Sequence, residues 1–73
     1  MDDYKEICDT LKEGIRLKLE KLPSVFYLWF NDMSLSSLTE DKAVFTTKTV
    51  LKKKVLSTKY IDMISDTLTE IIG

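Results

Sequence analysis

Apolar residues in the first third of the chain recur in steps of three and four. Tyr4, Ile7, Cys8, Leu11, Ile15, Leu19 and Leu22 thereby form one stripe of a helix from about Asp3 to Lys21. Lys5, Glu6, Lys12, Glu13, Lys18 and Glu20 fall mostly outside that stripe. Gly14 interrupts the helix at a cost of about 1 kcal/mol against Ala, which the stripe can offset, and it marks a point where another backbone can approach. Pro23 ends the pattern, because its ring disfavours helical geometry at Leu22. The same proline suits the first turn of a new helix, where no N–H is needed.

That second helix is expected from Pro23 to about Asn31, within the stretch LPSVFYLWFNDM. It is too short to be stable alone and depends on what it packs against. Val25, Leu28 and Trp29 share one face, Phe26 and Phe30 share a flank four residues apart, and Tyr27 points elsewhere. One short helix cannot bury all six. The expectation is that Val25, Leu28 and Trp29 build the core, while Phe26, Tyr27 and Phe30 stay partly exposed as a contact surface, in line with the aromatic enrichment of interfaces.

Downstream, MSLSSL alternates at Met33 and Leu35, TEDK carries turn residues, and AVFTT is β-branched and aromatic, which together read as a hairpin from Met33 to about Thr47. A lone hairpin is marginal in water and needs a helical layer. Val50, Leu51, Val55, Tyr60, Ile61, Ile64, Leu68, Ile71 and Ile72 then return to helical spacing, with Thr49 as N-cap and Gly73 as C-terminal stop. The expected architecture is a single α+β domain over residues 1–73, in the order α-α-β-β-α.

A chain of 73 residues, 44% hydrophobic and 32% charged, has the composition of a small globular domain. Its formal net charge of −1 gives no overall attraction to polyanions, so any nucleic-acid contact must come from a local cluster. Cys8 is the single cysteine and histidine is absent, which rules out an internal disulfide and leaves the usual zinc ligands nearly missing. No run approaches the ~18 apolar residues that span a bilayer, and the N-terminus is acidic. A cytoplasmic location is expected.

Candidate chemistry is sparse. The chain has no glycine-rich phosphate loop, and its serines lack an evident base, so it reads as a non-enzyme with neither cofactor nor metal. Asp32, Glu40, Asp41 and Asp62 are spread over expected turns and helix surfaces and read as solvating charges. Lys52, Lys53 and Lys54, with Lys48 and Lys59 nearby, form the one basic cluster. It is either a solvated face or a weak phosphate site at the start of the last helix. Trp29 reads as a core anchor and Cys8 as a small buried hydrophobe.

The segment KLPSVFYLWF, the strand AVFTT and the helix KVLSTKYIDMI, with Pro23, Trp29, Tyr60 and Ile64 in register, resemble the N-terminal domain of DnaA, the bacterial chromosomal replication initiator. The resemblance covers about Leu11 to Gly73. It implies a small KH-like domain that recruits the replicative helicase, docks initiation regulators, self-associates weakly and touches single-stranded DNA weakly. By position, the helicase-facing site falls near Phe26, with Tyr27 and Phe30 beside it, and an aromatic of the last helix falls on Val50. The self-association residue of the first helix falls near Leu11. The chain departs from the family where Phe26 is not acidic, Val50 is not aromatic and the first helix has no Trp. The family's closing third strand is expected to be absent, since the sequence stops at Gly73. The alternative function is a small nucleic-acid-binding module using Lys48, Lys52, Lys53, Lys54 and Lys59.

Overall fold

The computed structural model describes residues 3–72, which form α1 (Asp3–Lys18), α2 (Pro23–Trp29), β1 (Ser34–Leu38), β2 (Ala43–Thr46), α3 (Val50–Thr58) and α4 (Ile61–Ile72). The class is α+β, with helices packed around a two-stranded antiparallel sheet. Gly73, expected as the last helix stop, lies outside the described residues.

The stripe of α1 supplies Cys8, Leu11, Ile15 and, just past its end, Leu19 to the core, and α1 lies against both β1 and α4. Gly14 is where α4 comes near: a Cβ built there would lie 2.8 Å from Thr67 Cγ2, so a side chain of α4, rather than its backbone, makes the close approach. Lys18 closes the same seam by donating to Thr67 Oγ1 at 2.8 Å and to Glu70 at 2.9 Å and 3.1 Å.

Pro23 sits in the first turn of α2. The helix is rotated from the expected setting. Phe26 and Phe30 are buried, Val25 and Trp29 are half-buried on the flanks, and Leu28 and Tyr27 are exposed. The rings of Phe26 and Phe30 stack at 6.2 Å, and Phe30 meets Tyr60 edge-on at 5.3 Å. Two rings four residues apart form one ridge and remove more apolar area from water than Val25 with Leu28 could. Leu28 lies about 200° around the helix from Phe26 and is thereby turned to solvent.

The hairpin pairs Leu35 with Phe45 and Leu38 with Ala43, with an irregularity between Leu35 and Ser37. Ser36 at that irregularity donates its hydroxyl to Val44 O at 3.2 Å. The Thr39–Lys42 turn closes with a Thr39 N–H bond to Lys42 O at 2.8 Å, and Lys42 N–H donates to Thr39 Oγ1 at 3.1 Å.

The expected long last helix is two helices, broken at Lys59–Tyr60. No proline or glycine lies at the break. Ser57 and Thr58 both donate their hydroxyls to Lys54 O, at 3.2 Å and 2.7 Å, and such back-bonding loosens and bends a helix. Leu56 from α3 and Ile64, Thr67 and Leu68 from α4 then reach the interior. No helix among the described residues is long and apolar enough to cross a membrane.

Candidate interaction groove

Thr49 stands in extended conformation before α3 and accepts a hydrogen bond from Lys52 N–H at 3.1 Å, so the N-cap read from the sequence is present. The cap fixes where α3 leaves the hairpin. Between the end of β2, the Thr47–Thr49 connection and the two last helices lies an open groove of about 460 Å³. Its lining includes Met33, Leu56 and Ile64, all buried, together with half-buried Phe45. Val50 and Ile61, which remain 84% and 47% exposed, also line it, so apolar surface continues outward into solvent.

Lys48 and Lys53 also line this groove, and none of its lining residues is acidic. Asp62 follows Ile61 in sequence but does not line it. An adjoining recess shares Phe45, Ile61 and Ile64 and carries Glu40, Asp41 and Lys42 at the hairpin turn, so the excess of positive charge is confined to the first groove.

The lysine cluster is therefore divided by the fold. Lys52 is a structural tie: its Nζ donates to Asp32 Oδ2 at 2.8 Å, with both side chains largely shielded from solvent. That bond holds the Asp32 carboxyl below its ordinary value against the opposing effect of desolvation, with the charges of Lys52 and then Lys48 adding to the lowering. Asp32 Oδ1 is buried without a hydrogen-bond partner among the described residues. Lys59 lies 5.5 Å from the centre of the Tyr60 ring. Lys54 is exposed on α3. Of the five candidate nucleic-acid residues, only Lys48 and Lys53 share the groove.

The candidate protein contacts divide in the same way. Phe26 and Phe30 are core residues, which corrects the expectation that they form a contact surface, and the reason is the rotation of α2. Leu11 is fully buried beneath β1 and α4 and offers nothing to a second copy, a correction that follows from its place at the centre of the α1 stripe. Tyr27 and Val50 are exposed as expected, but on different helices, and only Val50 lines the groove. Sequence reasoning missed Phe45, Ile61 and Met33 as groove residues.

Cys8 donates its thiol to Met33 O at 3.5 Å, and burial pushes its pKa up, so it is an unreactive packing residue. Among the described residues, no three His, Cys, Asp or Glu side chains stand close enough to share a metal ion. The groove offers shape, apolar area and two cations. It has the means to bind, and no paired acid and base lines it. No family model, curated protein or solved structure matches the chain.

Proposed function

We propose that the chain is a non-catalytic protein-interaction domain of the DnaA replication-initiator type, which works in the cytoplasm, recruits the replicative helicase or regulators of initiation, and self-associates weakly. The observation that carries this reading is the exposure of Val50 on an uncovered apolar groove, at the position where the resemblance implies a partner-contacting aromatic. An 84% exposed valine beside further apolar surface gains from being covered by a partner. Weak self-association has support in the hairpin, since each strand of a two-stranded sheet keeps one unpaired edge.

The second reading, a single-stranded nucleic-acid module, draws on Lys48, Lys53 and Lys54, which form no ion pair among the described residues. Against it stands the lack of an exposed aromatic in the groove, because sequence-tolerant binding of single strands relies on stacking bases on such rings. Fluorescence anisotropy of the labelled domain with purified replicative helicase, and separately with oligothymidylate over a range of salt, separates the readings. Binding to helicase with a shallow salt response on oligothymidylate supports the interaction domain. Tight oligothymidylate binding with a steep salt slope and no helicase binding would replace it.

A further inference from the structure

We propose that the groove between the end of β2 and helices α3 and α4 seats an acidic, aliphatic-rich segment of a partner protein, its side chains covering Val50 and Ile61 and its carboxylates meeting Lys48 and Lys53. The proposal rests on the reading of the chain as a protein-interaction domain and names the chemistry of the partner at that site.

Charge complementarity selects this occupant. Both cations stand on the groove, neither forms an ion pair among the described residues, and no acidic residue lines the surface around them. The neighbouring Lys52 is paired with Asp32 and the other unpaired lysine of α3, Lys54, lies off the groove, so Lys48 and Lys53 are the cations that a ligand seated there can meet. A cation beside apolar surface meets an anion more strongly once a ligand excludes water from both. The apolar lining selects aliphatic side chains over bases. Its one aromatic, Phe45, is half-buried, while nearby Tyr60 does not line the groove and is occupied by the Phe30 edge contact and the Lys59 ammonium. Methyl-bearing side chains fit such a surface without a stacking platform. A phosphodiester chain would satisfy Lys48 and Lys53 yet leave Val50 and Ile61 uncovered.

The test is a random-peptide display library panned on the immobilised 73-residue chain, followed by affinity measurements on synthetic copies of the selected peptides. Peptides that combine Asp or Glu with Leu, Ile or Val are expected, and Val50→Asp and Lys53→Glu should each weaken them by about tenfold. Both positions are exposed, so an unchanged thermal transition is expected to accompany the loss. Should either variant unfold, Val50→Ser and Lys53→Gln give the same readout with smaller perturbation. Absence of enrichment overturns the proposal, as does selection of basic peptides, or acidic peptides that bind both variants as well as the parent. Oligothymidylate binding lost in Lys53→Glu without acidic peptides would assign the groove to nucleic acid. Self-association lost in Val50→Asp without peptide binding would assign it to a second copy. If helicase binding persists unaltered in both groove variants, this proposal fails while the interaction-domain reading stands.

Discussion

The seam between α1 and α4 and the seat of α3 are held by different means. At the seam, the Leu11 and Ile15 layers of α1 belong to one apolar cluster with Ile64 and Leu68 of α4, Gly14 admits Thr67, and Lys18 ties both helices from outside. In α3 a single residue, Leu56, is buried, and its polar attachments are the Thr49 cap and the Lys52–Asp32 pair. Burial of apolar area scales with the number of side chains committed to the core, so the first region is stabilised by packing and the second by a few polar ties. The α3 region also leaves Val50 and Leu51 facing solvent, at 84% and 64% exposure, while α1 and α4 expose Leu17 and Ile72 at their far ends. Uncovered apolar surface and light anchoring thus occur together where α3 borders the groove.

The largest break in this comparison comes from removing the core that both regions share. Phe30 is fully buried between Phe26 and Tyr60, and Phe30→Ala should cost about 3–5 kcal/mol, enough to prevent folding in a domain this small. Leu28→Ala, two positions earlier but 55% exposed, should change stability by no more than about 0.5 kcal/mol. Thermal denaturation of the two variants checks the rotation of α2 directly. Equal losses, or a larger loss at Leu28, would return Leu28 to the core.

That pair of residues also marks the limit of what the sequence carried. The α1 stripe, the role of Pro23, the hairpin and the Thr49 cap were legible because each depends on residues within a few positions of one another. The setting of α2 was not, since Val25–Leu28–Trp29 and Phe26–Phe30 are both plausible apolar faces and only the partner surface decides between them. The break between α3 and α4 went unread because no proline or glycine marks it, and the hydroxyl back-bonds of Ser57 and Thr58 there have counterparts at Thr10, Thr67 and Thr69 inside unbroken helices. Of the residues lining the groove, Lys48 and Lys53 stand out in the sequence only as members of the lysine cluster and Val50 only through the family resemblance. Met33, Phe45 and Ile61 do not, as they converge from the segment before β1, from β2 and from α4 and share no local spacing.

A smaller and more pointed effect is expected at the α1–α4 seam. Gly14→Ala gains up to about 1 kcal/mol of helix propensity, but its methyl would meet Thr67 Cγ2 at 2.8 Å. Thr67 is not free to turn aside, because its hydroxyl donates to Met63 O at 2.7 Å and accepts from Lys18. Overpacking of this kind costs about 1–3 kcal/mol, so the net change should be a loss of roughly 1 kcal/mol. Thr67→Ser deletes the offending methyl and keeps the hydroxyl. In that background Gly14→Ala should become stabilising, and urea denaturation of the four-member cycle reads the reversal. A stabilising Gly14→Ala in the parent chain would mean that the seam is looser than its geometry.

An effect of similar size belongs to the polar tie of α3. Asp32→Asn keeps the shape of the side chain but removes the charge that Lys52 answers, and should cost roughly 1 kcal/mol near neutral pH. Lys52→Gln should cost at least as much, because it leaves a shielded carboxylate unpaired, whereas Lys53→Gln on the exposed side should be near neutral. The pH dependence follows from the direction of the shift. The hydrogen bond from Lys52 leads the influences that hold the folded pKa of Asp32 below the ordinary 3.8. The tie therefore stabilises the fold fully above that value, and its contribution is lost as pH falls through the depressed folded pKa. The stability difference between the parent chain and Asp32→Asn should accordingly be flat from neutrality down to about pH 4–5 and shrink in stronger acid. Urea denaturation across that range provides the measurement. A difference that stays constant into strong acid would show that the Asp32 charge contributes nothing, leaving α3 held by its cap and Leu56.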